Sequence, residues 1–238
     1  MIISEPWMFD LLQKLLPLRK GVFIDIGVNT GQTLIKLKAV QDDREWVGFE
    51  PNPKCVYYVS ELIKANRFRH CKLIPVGIFS REAILELEFY SDSDTDQAAS
   101  VIENFRPGEK VFERVFIPVS SFERVNLLLG LQEIGIIKID VEGAETEVMD
   151  SLRDALRKLR PLVMMEILPC YTSDNETRIG RQSQIEEMLR LLEYRIFRVM
   201  KPDGIKLEGL APIAEIGIHG DLNMCEYVMA PAEIAGSI

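Results

Sequence analysis

Short apolar runs alternate along this chain with segments of helical periodicity, and that alternation limits the fold more than any other feature. Val22-Phe23-Ile24-Asp25-Ile26 is β-branched and almost wholly apolar, the pattern of a strand covered on both faces. A glycine-rich turn follows, then residues 33–40 with Leu34, Leu37 and Val40 at helical spacing. Residues 46–49 (WVGF) read as a second strand, 54–65 as a helix carrying Val56, Val59 and Ile63, and 71–76 as a third strand. Strand, helix, strand, helix, strand at this cadence implies parallel pairing through right-handed helical crossovers.

The middle of the chain breaks the rhythm. Residues 84–90 alternate apolar and acidic side chains, as an edge strand does, and 91–97 (SDSDTDQ) are polar throughout. Residues 98–108 show no period, and a long irregular stretch inside a compact domain is usually a functional lid or disordered. Residues 115–119 form a further strand candidate, and Ser120-Ser121-Phe122-Glu123 fits an S-x-x-E capping box opening a helix. Residues 134–139 are a strongly apolar strand ending at Asp140, followed by a helix over 145–159 with Val148, Leu152 and Leu156 on one face. Strands over 161–168, 194–200 and 225–229 and a helix over 183–192 complete the reading. One α/β domain over 21–238 accounts for it, preceded by an amphipathic helical lid within 1–20.

Composition narrows the partners. The 238 residues carry a formal charge of −9, with 47% hydrophobic residues and four cysteines. The acidic balance disfavours a nucleic-acid partner and leaves a small molecule as the expected one. Cys55, Cys71, Cys170 and Cys225 lie far apart with no C-x-x-C pair, which fits a reducing compartment and reads as cytoplasmic. No apolar run approaches the roughly 20 residues a membrane span needs, so no membrane partner is expected.

The chemistry-bearing residues gather at strand ends. Asp25-Ile26-Gly27-Val28-Asn29-Thr30-Gly31 lies where the first strand yields to the first helix. Glycines there let the backbone approach a ligand, and the helix N-terminus adds free N–H donors and partial positive charge. The order G-x-N-x-G lacks the third glycine of a dinucleotide fingerprint, G-x-G-x-x-G. Glu50 ends the second strand, where a carboxylate accepts hydrogen bonds from both hydroxyls of a ribose. Asp140 ends a strand expected to be buried on both faces, beside the point where α/β folds bind ligands. Glu142, Glu145 and Glu147 sit where they favour the positive end of the next helix, and Glu166 brings a further carboxylate to the same rim.

DIGVNTG (25–31), GFEPNP (48–53), KIDVEGAE (138–145) and VMMEI (163–167), in that order and spacing, resemble the FkbM-type methyltransferases, and IPVSSFERV (117–125) is similar to a further segment of that family. The resemblance implies an S-adenosylmethionine-dependent enzyme of the class I Rossmann-like α/β fold. That fold has a mostly parallel central sheet, helices on both faces and a C-terminal antiparallel strand. Asp25, Gly27, Val28, Asn29 and Gly31 would then surround the methionine and ribose end of the cofactor. Glu50 would hold the ribose, Pro51 and Asn52 would lie beside the adenine, and Gly77 near its edge. Asp140 would face the cofactor's amino group or the acceptor. The family methylates hydroxyl oxygens, so a small-molecule or glycan acceptor is implied. Two segments depart from it: Glu166-Ile167-Leu168 stands where Glu-Ile-His is common, and Phe79-Ser80 where Ser-Asp is common.

Methyl transfer to an alcohol needs the proton removed as the bond forms, by a base or with a metal's help. Asp140, Glu142 and Glu166 are the candidate base and its orienting partners, and carboxylates are equally the ligands Mg²⁺ prefers. His219, in a polar loop, is a further candidate base. Two rivals remain at this level: a Rossmann-type NAD-dependent oxidoreductase, which lacks its Tyr-x-x-x-Lys pair here, and a nucleoside-cofactor-binding module without catalysis.

Overall fold

A computed structural model describes residues 4–103, 105, 106 and 108–238. Residues 1–3 of the expected lid and residues 104 and 107 of the irregular middle stretch lie outside the described residues.

The order of elements is α1 (Trp7–Leu15), β1 (Val22–Ile26), α2 (Gln32–Val40), β2 (Trp46–Phe49), α3 (Pro53–Asn66), β3 (Cys71–Ile74), β4 (Gly77–Ile78), β5 (Ala83–Phe89), β6 (Glu113–Ser120), α4 (Phe122–Leu129), β7 (Ile134–Ile139), α5 (Glu145–Leu159), β8 (Leu162–Glu166), α6 (Glu176–Leu191), β9 (Tyr194–Met200), β10 (Gly209–Ile213) and β11 (Glu226–Pro231). Eight strands form the main sheet in the order β10-β9-β11-β8-β7-β1-β2-β3. Strands β3, β2, β1, β7 and β8 run parallel. The C-terminal strand β11 inserts antiparallel between β8 and β9, and β10 adds a second antiparallel pairing at the edge.

The two faces of the sheet bury different helices. Ile24, Ile26, Val47, Phe49, Ile137 and Ile139 pack under α4, α5 and α6. Phe23, Trp46, Ile136, Leu162 and Met164 pack under α1, α2 and α3. Alternate side chains of one strand point to opposite faces, so Asp25 and Lys138 fall on the second face, inside the core. The N-terminal helix α1 belongs to that same core, burying Trp7, Met8, Leu11, Leu12 and Leu15.

Strands β4, β6 and β5 form a separate three-stranded sheet, with β5 antiparallel to β6 along its full length. One of its faces is apolar through Leu87, Phe89, Ile117 and Val119. The cap of α4 falls one residue later than the S-x-x-E pattern implies: Ser121, not Ser120, accepts from Arg124 N–H at 3.3 Å. Ser120 is instead the last residue of β6, paired with Ile78. Among the described residues no helix is long and apolar enough to cross a membrane.

Candidate active site

A cavity of about 380 Å³ opens at the carboxyl ends of the parallel strands, a size within the range of small-molecule sites. Gly27, Val28, Asn29, Glu50, Pro51, Asn52, Gly77, Asp140, Glu142 and Glu166 all line it, ten residues the sequence singles out. Glu50 and Glu166 end strands three intervals apart, so the cavity runs about 14 Å across the sheet at the usual strand spacing.

Two residues read as cofactor-binding do not line the cavity. Asp25 is fully buried beneath it, where Trp46 Nε1–H donates to its Oδ2 at 3.3 Å and Lys138 Nζ lies 3.6 Å from its Oδ1. Burial raises its pKa, against the pull of Lys138 and Trp46. Gly31 serves the turn: it caps α2 at φ +78°, and a Cβ there would stand 2.9 Å from Leu62. Gly27 is needed for close approach, because at φ +81° its Cβ would lie 1.7 Å from the Asp140 carbonyl oxygen.

At one end of the cavity, Glu50 Oε2 accepts from Asn29 N–H at 2.7 Å and Oε1 from Asn52 N–H at 2.9 Å. A carboxylate offers about four acceptor positions. Each oxygen of Glu50 therefore keeps a lone pair that can accept from a ligand hydroxyl. Burial pushes the Glu50 carboxyl up to about 6, with the two N–H donors pulling the other way. Beside it α2 begins without a side-chain cap, leaving its first N–H groups free, and Gln32 and Thr33 face the cavity.

At the other end, Asp140, Glu142 and Glu166 each present a carboxylate oxygen within 4.8 Å of the other two. Burial and the neighbouring Asp140 push Glu142 up to about 7, although Arg106 Nη2 donates to it at 2.7 Å. Burial, with Asp140 and Glu142 beside it, raises the Glu166 carboxyl far above the carboxylate range, so it keeps its proton at neutral pH. The oxygen set also suits a hard cation. Glu145 and Glu147 have local tasks: Glu145 accepts from Gly143 N–H at 2.8 Å, and Glu147 pairs with Arg181.

The middle segment, unreadable from periodicity, roofs the site. Asn29 Nδ2 donates to the Thr95 carbonyl at 3.3 Å and Asn52 Nδ2 to the Asp94 carbonyl at 3.0 Å. Further along, Ser100 Oγ donates to the Glu142 carbonyl at 2.6 Å, and Arg178 stacks 4.4 Å over the Phe105 ring. Asp96, Gln97, Ala99 and Val101 line the cavity, and Leu87, Ile117 and Val119 supply an apolar wall from the small sheet. His219 is not among the lining residues: its Nε2 lies 3.1 Å from the Tyr227 hydroxyl, and burial with Arg198 nearby lowers its pKa. Lys138 is a charged lining residue to which sequence reasoning gave no role. A lysine within an otherwise apolar strand, two residues before Asp140, was the available signal.

Residues 25–199 match the model of the methyltransferase FkbM domain. A curated relative, methyltransferase 1 of Beauveria bassiana (strain ARSEF 2860), is 25% identical over 158 residues, covering 60% of this chain and 63% of the relative. Methyltransferase FkbM from Methylobacillus flagellatus KT superposes with a TM-score of 0.53 at 13% identity, covering 88% of this chain and 43% of that one. A candidate O-methyltransferase from Klebsiella pneumoniae gives a TM-score of 0.53 at 12% identity, over 97% of this chain and 81% of that one. The match thus spans less than two thirds of the first two relatives, and the structural likenesses show the α/β fold.

Proposed function

The chain belongs to the FkbM methyltransferase domain family, and on that premise we propose that it methylates a hydroxyl oxygen of a small-molecule or glycosyl acceptor, using S-adenosylmethionine. The observation that carries this reading is the division of one cavity between a ribose-accepting carboxylate, Glu50, and a cluster of three carboxylates. Bound S-adenosylmethionine supplies an electrophilic methyl group on a cationic sulfonium. Glu50 holds the nucleoside end, and Asp140 turns negative charge toward the cationic end. Glu142, poised at about 7 by burial and Asp140, would take the acceptor hydroxyl's proton, while the bound cofactor would supply the methyl carbon and leave as S-adenosylhomocysteine as its methyl–sulfur bond breaks. Glu166, holding its own proton, donates a hydrogen bond that orients that oxygen. The chain's main contribution is alignment, because an in-line displacement depends on holding the two reactants in register.

The test is transfer of labelled methyl from S-adenosylmethionine to a panel of hydroxylated metabolites and glycans, with and without chelator. Methyl recovered on oxygen, and lost in Glu142→Gln, supports the reading. Methyl recovered on nitrogen or carbon, or no binding of S-adenosylmethionine in calorimetry, overturns it. Turnover abolished by chelator and restored by Mg²⁺ would reassign the three carboxylates as cation ligands.

A further inference from the structure

Lys138 is buried in β7 and stands opposite Asp25 in the register with β1. Its Nζ donates to Asp140 Oδ2 at 3.1 Å and to the Gly27 carbonyl at 3.2 Å, and lies 3.6 Å from Asp25 Oδ1. An ammonium has three protons and no acceptor capacity; two of them go to Asp140 and Gly27, while the Asp25 carboxylate lies close enough for charge attraction without a hydrogen bond. Burial draws its pKa down, but Asp140 and Asp25 outweigh that and hold it above the ordinary lysine range. Stability alone does not call for this arrangement, since an apolar replacement of a buried ion cluster is often neutral or stabilising.

The arrangement does have a geometric consequence. Asp140 faces Glu142 and Glu166 within 4.8 Å, and an ionised Glu142 at that range would drive its carboxylate toward water. Lys138 holds one oxygen of Asp140 in place and leaves the other toward the cavity. The same ammonium ties down the glycine turn across the strand boundary.

We infer that Lys138 is a positioning residue: from the cavity floor it fixes the Asp140 carboxylate and the Gly27 carbonyl, and so shapes the subsite for the cofactor's amino-acid tail. This rests on the proposed use of S-adenosylmethionine.

The experiment compares two probes by calorimetry. S-Adenosylhomocysteine carries the amino-acid tail, and 5′-methylthioadenosine carries the nucleoside without it. Lys138→Met alone would orphan Asp25, so the variant is Asp25→Asn/Lys138→Met, in which neither partner is left charged. Its affinity for S-adenosylhomocysteine falls about tenfold or more, while that for 5′-methylthioadenosine stays within about twofold. Asp140→Asn, which keeps the buried Lys138–Asp25 pair, reproduces the same selective loss and serves where the double variant does not fold. Equal losses for both probes, or no loss for either, overturn the positioning role. Wild-type protein that binds neither probe overturns instead the cofactor reading beneath it.

Discussion

Glu50 carries two duties on one carboxylate. It accepts backbone N–H groups from Asn29 and Asn52, which sets the shape of two turns, and under the proposed function its remaining lone pairs hold a ribose. Glu50→Gln sets an amide nitrogen against one of those N–H donors, so donor would face donor. Its affinity for S-adenosylhomocysteine falls roughly ten- to hundredfold, measured by calorimetry; affinity within about twofold of wild type would remove Glu50 from the ribose site. This residue was legible in the sequence because an acid at a strand end beside Pro51 and Pro53 has few other reasons to be there. Asp25 lies beneath the cavity and does not line it, for a physical reason. An acid in an apolar strand looks functional, but its side chain points to the α1–α3 face, where Trp46 donates to one oxygen and the Lys138 ammonium lies near the other. Strand position alone does not say which face a residue takes until its neighbours are known.

At the scale of elements, the segments with strong periodicity were read closely. β1 and α5 begin and end where their apolar patterns do. β10 (GLAPI) escaped because its glycine and proline weaken any strand signal, as both do at sheet edges. The start of α6 escaped because its first residues, Glu176 to Gly180, bury no side chain. Ser121→Ala tests the corrected cap of α4: it costs about 1 kcal/mol of stability in urea denaturation, whereas Ser120→Ala costs less than about 0.5 kcal/mol. Equal costs would put the cap back at Ser120. The strap over the cavity makes a different kind of contact, since Arg106 reaches from it to Glu142 at 2.7 Å and holds that carboxyl down. Arg106→Gln removes the cation, so the Glu142 carboxyl rises above about 7. The acid limb of the pH–rate profile then moves to higher pH. An unmoved limb would show that Glu142 is not the group whose ionisation limits turnover.

For the whole molecule, the net charge of −9 conceals an uneven distribution. Burial raises Glu50 to about 6 and Glu142, Glu145 and Glu226 to about 7, each from an ordinary value of 4.5. A carboxyl whose folded pKa lies above its unfolded one binds protons more tightly in the folded state. Its stabilising share is complete below about 4.5 and is lost as pH rises through the folded value. For Glu50, about 1.5 pH units correspond to about 2 kcal/mol. Glu233 has the opposite sign: the Arg160 guanidinium holds it down to about 2, so its share is present above 4.5 and fades as pH falls toward 2. The ligand-free protein should therefore resist urea better at about pH 5 than at about pH 7.5, with an unchanged denaturant slope. A midpoint that rises across that interval would contradict the burial of these acids. Because Glu50 and Glu142 of the cavity are largely ionised at the higher pH, a cationic ligand recovers the lost stability there. Saturating S-adenosylmethionine should raise the midpoint more at about pH 7.5 than at about pH 5. An equal rise at both would mean that the three carboxylates face away from the sulfonium end, and the acceptor subsite would have to be sought along the apolar wall of Leu87, Ile117 and Val119.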